Sequence, residues 1–397
     1  MEKILKSKTV VLGVTGSIAA YKIANLARML VKQHCEVHVL MTQNATNFIN
    51  PITFETLTKH KCLIDTFDRN FEFSVEHVAL AKAADVVMIA PASANVIGKI
   101  ANGIADDMLT TTVMACPCKK IVSPAMNHNM FHNPIVQDNI EKLKHYGYEI
   151  VEPAHGMLAN GDMGDGRMPD EELLFEYIVK EIAFEKDMTG KKVLVTAGAT
   201  VEAIDPVRFI TNHSSGKMGF ALAKNAMLRG ADVTLVMGKC DSEPPVFVNT
   251  VKVQSAKDMY DAVIERADSM DIIVKAAAVA DYRPKNVSSE KVKKQDGNMS
   301  IELERTDDIL KTLGERKNSQ FICGFSMETE NMLENSRKKL EKKNCDMIVA
   351  NNLKQDGAGF GGNTNIVTLI TKDDEVQLEK MTKDEVAEKI FDFILSR

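Results

Sequence analysis

Apolar and polar positions along the chain alternate in the pattern of a parallel α/β fold. Short apolar runs are followed by stretches in which apolar residues recur every three or four positions. A run that is apolar on both faces is typical of a strand in a parallel sheet, and the periodic stretch is typical of the helix that crosses back over it. In the first half the predicted strands are Val10–Val14, Val37–Met41, Asp85–Ala90, Lys120–Ser123 and Glu149–Val151, and the predicted helices include Ile18–Val31, Asn95–Ala105 and Glu171–Lys186.

The same pattern starts afresh at residue 191. Val193–Val195 is an apolar run that ends in Thr196–Thr200, a small-residue loop whose amides are expected to be exposed. In this half the predicted helices are Gly216–Arg229, Ser255–Ser269, Thr329–Lys343 and a closing helix Thr382–Ser396. The predicted strands are Asp232–Met237, Asp271–Ala277, Phe321–Gly324, Asp346–Ala350 and a hairpin of Ile366–Thr371 with Glu375–Leu378.

This repeated alternation predicts an α/β protein with two tandem doubly wound, Rossmann-like domains and a boundary near residue 189. The domains would be 1–189 and 190–397. Two segments do not fit the alternation. Ala154–Asp170 carries four glycines and little periodicity, so we expect a long flexible loop that covers a site. Asp281–Thr306 is polar and rich in lysine, and we expect a mobile active-site loop with a short strand.

Composition narrows the functional class. A chain of 397 residues with 45% hydrophobic and 26% charged residues suits globular domains with sizeable cores. A net charge of −6 argues against nonspecific binding to nucleic acid or membrane. The seven cysteines are an odd number without CxxC spacing, which disfavours a disulfide framework and a zinc site, so we expect a cytoplasmic protein. No apolar window approaches the roughly 18 residues that a membrane span needs.

Small polar residues at two strand ends are the first candidate site. Gly16 and Ser17 follow the first predicted strand and open a helix, where amides and a hydroxyl can meet a phosphate. A tight turn with an N-cap serine explains that pair equally well, since neither GxGxxG nor GxxxxGK[ST] is present. Ser93 and Asn95 follow the strand Asp85–Ala90, and their convergence at the same sheet edge favours a ligand.

Other candidates have simpler structural explanations. His77 stands at the start of a predicted helix and can act as a base, although a lone histidine is more often structural. Met126 and Met130 follow a strand, where methionines more often belong to the core. Lys339 and Lys343 lie four residues apart, so they project from one helix face toward a triphosphate or simply into solvent.

Longer motifs resemble two known enzyme families. The first half, with GSIAAYK at Gly16–Lys22, His77, PASAN at Pro91–Asn95 and PAMNHNM at Pro124–Met130, resembles the flavin-dependent cysteine decarboxylases. The second half, with DPVRFITNHSSGKMG at Asp205–Gly219, AAVADYRP at Ala277–Pro284, EKVKK at Glu290–Lys294 and Gly324-Phe325, resembles the phosphopantothenate–cysteine ligases. The order of the motifs is similar to that of the fused bacterial family of coenzyme A biosynthesis, in which phosphopantothenoylcysteine decarboxylase is joined to the ligase. The resemblance spans essentially the whole chain.

For the first domain the resemblance implies an FMN site and decarboxylation of 4'-phosphopantothenoylcysteine to 4'-phosphopantetheine. Gly16, Ser17, Ser93 and Asn95 would bind the FMN. The cofactor would act as the electron sink that lets the carboxylate leave. The resemblance further implies that His77 is the acid/base and that Asn127 binds the substrate carboxylate.

For the second domain the resemblance implies a ligase that uses CTP and Mg²⁺. Phosphopantothenate would form an acyl-CMP intermediate, which L-cysteine then attacks. Asn212 and Lys291 would be catalytic, and Arg208, Asn212, Ser214, Ser215 and Gly216 would bind the substrate. The CTP site would comprise Lys275, Ala276, Ala277, Asp281, Lys291, Asp307, Asp308, Ile309, Leu310, Phe325, Lys339 and Lys343. The metal ligands stay unassigned.

One position departs from the family pattern. Where the family has Ala-Cys-Gly-Asp before Gly-Arg-Met, this chain has Asn160 in place of the catalytic cysteine, while Gly166-Arg167-Met168 is kept. An asparagine amide does not give up a proton at neutral pH, so the final reduction of the enethiol needs another donor. An alternative is therefore a CTP-dependent ligase whose flavin domain is impaired or regulatory. The resemblance also implies trimeric contacts between flavoprotein domains and dimeric contacts between ligase domains. A chain that makes both contacts is expected to form a homo-oligomer, and a dodecamer is one closed arrangement.

Overall fold

The computed structural model describes residues 4–66, 76–157, 161–293, 299–328, 331–352 and 362–397. The chain forms two compact units, Glu2–Phe184 and Glu185–Arg397. No helix in these described ranges is long and apolar enough to cross a membrane.

The first unit is a parallel sheet covered by helices. Its strands are β1 (Thr9–Val14), β2 (Glu36–Met41), β3 (Val86–Ala92), β4 (Lys119–Pro124), β5 (Glu149–Ile150), β6 (Ala154–Met157) and β7 (Met163–Arg167). Its helices are α1 (Ala20–Lys32), α2 (Pro51–Thr58), α3 (Glu76–Ala83), α4 (Ala94–Ala101), α5 (Met108–Ala115), α6 (His128–Phe131), α7 (Pro134–His145) and α8 (Glu171–Ile182), with a short 3-10 helix at Gln43–Asn47.

Five strands form the main sheet of this unit, in the order β2-β1-β3-β4-β5, and all four strand pairs are parallel. All seven residues of β3 are buried, as expected for a central strand with helices on both faces. The predicted strands match the observed ones to within two residues at each end. Helix α4 ends four residues before the predicted end, since Asn102 caps it and Gly103 turns the backbone at φ +72°.

The prediction of a loop at Ala154–Asp170 is wrong. β6 and β7 pair as an antiparallel hairpin, and residues 158–160 between them lie outside the described residues. Four glycines hide the strand pattern in the sequence, because an alternating face needs side chains to be seen. The hairpin is held in place by a contact with another part of the unit. Met126 N donates to Gly166 O at 3.0 Å, which attaches β7 to the segment that follows β4.

The second unit is a larger mixed sheet with helices. Its strands are β8 (Lys192–Ala197), β9 (Val201–Ala203), β10 (Phe209–Thr211), β11 (Asp232–Met237), β12 (Asn249–Lys252), β13 (Ile272–Lys275), β14 (Tyr282–Pro284), β15 (Leu303–Arg305), β16 (Phe321–Glu328), β17 (Met347–Asn352), β18 (Thr364–Asn365), β19 (Val367–Ile370), β20 (Glu375–Gln377) and β21 (Met381–Thr382). Its helices are α9 (Lys217–Leu228), α10 (Ala256–Ala267), α11 (Ile309–Glu315), α12 (Met332–Lys342) and α13 (Lys383–Leu395).

Eight strands form its main sheet, in the order β12-β11-β8-β13-β16-β17-β19-β20. The first six are parallel, and β19 and β20 add an antiparallel edge. The predicted terminal hairpin is confirmed as β19 and β20, and the predicted closing helix as α13. Within the predicted mobile segment Asp281–Thr306, β14 and β15 pair with each other, and residues 294–298 lie outside the described residues.

The start of the second unit is attached to its own body. Met188 is fully buried, and its amide donates to Arg229 O at 3.0 Å. The Arg229 side chain, itself almost completely buried, contacts Asp187 at 2.9 Å (Nε to Oδ1) and Asp392 at 2.8 Å (Nη1 to Oδ1). The Arg229 guanidinium therefore links the segment before β8, which contains Asp187, to helices α9 and α13.

Candidate functional site

The first candidate site lies where the strand order of the five-stranded sheet reverses, between β1 and β3. Ligands of open parallel sheets bind at the carboxyl ends of the strands at such a reversal. Here the two strand ends are joined by Thr15, whose side chain is fully buried. Thr15 Oγ1 donates to Pro91 O at 2.7 Å and accepts from Ser93 N at 2.9 Å. The Gly16-Ser17 turn and the Ser93 turn are therefore fixed to one another.

These turns border a cavity of about 500 Å³. Four residues predicted for the phosphate site, Gly16, Ser17, Ser93 and Asn95, line it together. A Cβ at residue 16 would lie only 2.8 Å from Asn44 Cβ, so only glycine permits the turn to approach the 3-10 helix this closely. The remaining lining residues are Thr42, Gln43, Asn44, Ala94, Val96, Lys99, Asp107, Ala125, Met126 and Met130.

Two helices begin at this cavity, and they differ in how directly they face it. Ser93 is the N-cap of α4, and its Oγ accepts from Val96 N at 3.4 Å. Helix α1 begins at Ala20 rather than at Ile18, and Ser17 N donates to Thr15 O at 2.8 Å. Because that amide is already engaged, we expect the Ser17 hydroxyl to be the group that meets a ligand.

A second cavity of about 530 Å³ adjoins the first and shares Ser17, Ala125 and Met126 with it. Asn127 and Arg167 lie on its wall. Asn127 is the N-cap of α6, because its Oδ1 accepts from Asn129 N at 2.9 Å. The other lining residues are Ile18, Ala19, Tyr21, Lys22, Met157, Gly166 and Met168, so β6 and β7 form one side of this cavity.

The hairpin contact with the Asn127 turn depends on Gly166. This residue has φ +114°, and a Cβ there would lie 2.3 Å from Met126 O. No side chain fits at that distance, so the glycine fixes how closely the hairpin approaches the turn.

Three other candidates among the described residues do not line these cavities. His77 is the second residue of α3 and lines neither cavity. Asn160 lies outside the described residues. Cys116 and Cys118 are the cysteines that directly precede β4, and they also line neither cavity; Cys116 is buried in the core.

The second candidate site lies at the corresponding reversal of the eight-stranded sheet, between β8 and β13. Two threonines connect the loops after these strands. Thr196 Oγ1 accepts from Ala277 N at 3.1 Å, and Thr200 Oγ1 accepts from Ala280 N at 3.0 Å. Asn212 lies over the same loop, and its Nδ2 donates to Val279 O at 3.2 Å. The predicted catalytic residue Asn212 therefore lies beside the loop that contains the predicted CTP-site residues Ala277 and Asp281.

Arg208 and Asp205 bring Lys291 to this region. Asp205 is almost fully buried, and its carboxylate accepts from Val207 N, Arg208 N, the Arg208 guanidinium and Val292 N. Burial opposes ionisation of Asp205, but these donors hold its pKa well below the usual range. Arg208 Nη2 also donates to Val292 O at 2.5 Å. Lys291 is thus positioned through its neighbour Val292.

Three lysines lie near the carboxyl end of β13. Lys339 Nζ donates to Phe325 O at 2.9 Å, and Lys343 binds the Asp308 carboxylate. Burial, together with the charge of Lys339, lowers the pKa of Lys275 to about 8. Lys339 therefore contacts Phe325, and both Lys339 and Lys343 act electrostatically on Lys275, so the alternative of a purely solvated lysine face is wrong.

The other predicted residues surround these groups. Gly216 has φ +79° at the N-cap of α9 and follows Ser214 and the buried Ser215. Ile309 and Leu310 pack their side chains in the core, so only their backbone can face a nucleotide. Asp281 acts on Lys275 electrostatically, and Asp307 lies 4.0 Å from Lys257 Nζ.

Comparison with known proteins identifies the family. The sequence model described as Flavoprotein matches residues 1–183, and the one described as DNA/pantothenate metabolism flavoprotein C-terminal domain matches residues 188–397. The Coenzyme A biosynthesis bifunctional protein CoaBC of Bacillus subtilis is 48% identical over 93% of this chain and 92% of its own length. The same protein of Vibrio cholerae is 42% identical over 98% of each chain. The chain belongs to this bifunctional family.

Membership defines the two halves as a flavoprotein decarboxylase domain and a ligase domain of coenzyme A biosynthesis. A solved C-terminal domain of a CoaBC protein is 49% identical and covers 52% of this chain and 95% of its own, with a TM-score of 0.45. The alternative of a ligase with a merely regulatory flavin domain is not favoured, because the relatives matched over nearly the whole chain are bifunctional proteins.

The threonines at the strand ends were missed by the sequence analysis. Thr15 follows β1, Thr196 lies one residue before the end of β8, and Thr200 follows β8; the hydroxyl of each binds a segment that follows another strand. A threonine directly after an apolar run was the available signal. That signal does not show what the hydroxyl contacts, because the hydrogen-bond partners lie 76 to 81 residues away in sequence.

Proposed function

We propose that the first compact unit, Glu2–Phe184, is an FMN-dependent phosphopantothenoylcysteine decarboxylase domain and that the second, Glu185–Arg397, is a CTP-dependent phosphopantothenate–cysteine ligase domain. The observation that carries the first assignment is the Thr15 link, which places the Gly16-Ser17 turn and the Ser93 turn at one cavity. The helix α4 N-terminus at this cavity favours a phosphate.

The residues present fit the phosphate and ribityl chain of FMN. The Gly16 turn leaves no room for a side chain, and Ser17, Ser93 and Asn95 supply hydroxyl and amide groups at the same wall. When bound, FMN supplies a reversible two-electron sink for the substrate. A single phosphate cradle suits FMN better than FAD, since the dinucleotide fingerprint GxGxxG is missing from the sequence.

The test of this assignment is the identity of the released cofactor. Protein purified with its bound flavin is denatured, and the supernatant is separated by chromatography against FMN and FAD standards. We expect FMN alone at about one equivalent per chain. FAD as the released species would refute a site built around one phosphate.

In the second cavity we propose that Asn127 binds the substrate carboxylate and that the hairpin closes over it. Asn127 and Arg167 on the cavity wall supply an amide and a cation for an anionic substrate. The net reaction releases the carboxyl group as carbon dioxide and leaves a proton on the former α-carbon. His77 is proposed to transfer protons, although in the described part of the chain it does not reach either cavity.

The proton donor for the last step differs from the family pattern. Asn160 stands where the family has cysteine, and neither Cys116 nor Cys118 is among the described residues that line the two cavities of this domain. We therefore propose that water or His77 protonates the enethiol, and that reduction is slower than decarboxylation. Under anaerobic single turnover, mass spectrometry should detect an enethiol two hydrogens lighter than phosphopantetheine.

The Asn160→Cys variant tests this step. It should shorten the lifetime of the enethiol and leave carbon dioxide release nearly unchanged. An equal enethiol lifetime in both proteins would show that position 160 does not supply the proton.

For the ligase half we propose that CTP activates phosphopantothenate as an acyl-CMP, which L-cysteine then attacks. The charges of Lys275, Lys339 and Lys343 around Phe325 suit a triphosphate. Asn212 and Ser214–Gly216 lie before α9, where an amide, hydroxyls and backbone N–H groups suit the acyl-CMP. Mg²⁺ is proposed to accompany CTP, because divalent ions of this kind bind chiefly through substrate phosphates.

Lys291 is the residue to test. Lys291→Gln should abolish release of pyrophosphate when phosphopantothenate, CTP and magnesium are supplied. The matched control is Lys293→Gln, two residues further along the same exposed segment. Equal losses in the two variants would remove Lys291 from the mechanism.

A further inference from the structure

A histidine and aspartate cluster lies beside the decarboxylase site and is not used by that reaction. His128 and His132 belong to α6 and its C-terminal cap, and Asp165 belongs to β7. The ligand atoms of these three side chains all lie within 4.8 Å of one another. His155 of β6, the other strand of the hairpin, joins the group through Asp165.

The distances are close to those of a coordination sphere. His132 Nε2 lies 2.9 Å from Asp165 Oδ2, and Asp165 N donates to His128 Nδ1 at 3.1 Å. Two ligands that bind one Zn²⁺ at about 2.1 Å are roughly 3.4 Å apart in tetrahedral geometry. The His132 and Asp165 ligand atoms must therefore separate by only about 0.5 Å, and no two ligand atoms of the three residues are more than 4.8 Å apart. His128 exchanges the hydrogen bond from Asp165 N for the metal if it binds through Nδ1.

The surroundings of the cluster resemble those that support metal ligands. His155 Nδ1 lies 2.9 Å from Asp165 Oδ1, the carboxylate oxygen that does not contact His132. Such an outer contact fixes the orientation of a coordinating carboxylate. Gly164 permits the close approach, because a Cβ there would lie 2.8 Å from His128 Nδ1.

We propose that His128, His132 and Asp165 form a site for one divalent transition-metal ion of the zinc class, with His155 as the residue that positions Asp165. Neutral imidazoles and a carboxylate are the donor set that zinc accepts, and partial exposure leaves a position for water. Among the described residues Glu36, His38 and His60 form a second such group, which any experiment must separate from this one.

Binding at this site connects two walls of the second cavity. His128 directly follows Asn127, and Asp165 precedes Gly166 and Arg167. A metal bridge between α6 and β7 holds the hairpin against the Asn127 turn, so zinc slows any step that requires the hairpin to open. This regulatory effect rests on the proposed role of the cavity, whereas the binding site itself does not.

The binding test uses full-length, flavin-loaded protein without a histidine tag. Calorimetric titration with ZnCl2 is compared among wild type, His132→Ala, Asp165→Asn and two controls. His38→Ala removes the second group, and His145→Ala removes an exposed histidine outside both groups. We expect one binding event that weakens at least tenfold in His132→Ala and Asp165→Asn and persists in both controls.

Unchanged affinity in His132→Ala and Asp165→Asn would overturn the site. His132 is about half exposed, with 49% of its side chain accessible, so its replacement should leave the metal-free melting temperature unchanged. Anomalous scattering at the zinc edge from soaked crystals gives a second readout, with a peak expected between the three ligands. A peak only at Glu36 or at cysteine would equally refute the proposal.

The regulatory effect is measured separately as carbon dioxide release with and without ZnCl2. Zinc should slow wild type and the His38→Ala control but not His132→Ala. Equal inhibition of all three would overturn the coupling. Because the titration does not depend on catalysis, loss of the binding site and failure of the proposed reaction are distinguishable.

Discussion

Removing the Thr15 hydroxyl should disconnect the two turns that form the flavin site. Thr15→Val keeps the shape of the fully buried side chain but leaves Pro91 O without its donor and Ser93 N without its acceptor. A buried backbone group left unpaired costs about 1–3 kcal/mol, and a partly buried one costs less. Pro91 is buried and Ser93 is partly buried, so we expect a total loss of about 3 kcal/mol in the free energy of unfolding.

The assay is thermal unfolding of the flavin-loaded protein, followed by the rise of flavin fluorescence on release. For a unit of this size, about 3 kcal/mol corresponds to a decrease of roughly 6–12 °C in melting temperature. The dissociation constant for FMN should also increase, because the Ser93 turn is no longer fixed to the Gly16 turn.

The matched control is Thr112→Val. Thr112 is also fully buried, but its Oγ1 donates at 2.7 Å to Met108 O, one turn earlier in α5. That carbonyl keeps its helical N–H partner, so the loss should be about 1 kcal/mol with unchanged FMN affinity. If the two variants have the same melting temperature and the same dissociation constant for FMN, the Thr15 link does not organise the site.

Further predictions concern the hairpin and the ligase half. Gly166→Ala should abolish decarboxylation and spare the ligase activity, because the added Cβ would clash with Met126 O. The control is Gly161→Ala, which is also at positive φ but has no neighbour within 4 Å. Equal losses of decarboxylation in the two variants would exclude the clash as the cause. Lys275 loses its proton as pH rises through about 8, so the KM for CTP should rise several-fold between pH 7 and 9. Lys275→Arg should flatten this profile, and a flat wild-type profile would exclude Lys275 from phosphate binding. Arg208→Met should lower ligase kcat at least tenfold by releasing the segment that positions Lys291, and a normal kcat would show that this contact is dispensable.

Sequence alone was sufficient where local pattern determines structure. The strand Asp232–Met237 was predicted with the bounds that β11 has, because five of its six residues are apolar or buried and a polar residue begins it. Hairpin β6 and β7 was missed, since its glycines give no alternation and its position depends on the Met126 and Gly166 contact. Short strands such as β9 and β14 carry too few residues for a periodic signal.

Some residues of the candidate sites could also be predicted from local sequence, and others could not. Gly16 and Ser93 were predicted to converge because parallel strands end at one edge, and they line one cavity. The contact of Arg208 with Val292 spans 84 residues and involves a backbone oxygen, for which no residue type in the sequence gives a signal. His77 was predicted from its motif, and its side chain does not reach the cavities in the described part of the chain.

The Arg229 cluster has a consequence for dividing the protein into separate enzymes. The residues that join the two halves in sequence are built into the ligase half, since Met188 is buried there and Asp187 shares the Arg229 guanidinium with Asp392. A stand-alone ligase gene that starts at Gly190 would omit both residues, remove a buried methionine and leave Arg229 with a single carboxylate partner. One that starts at Glu185 keeps them, so the position of the first codon decides whether the separated enzyme folds as a whole.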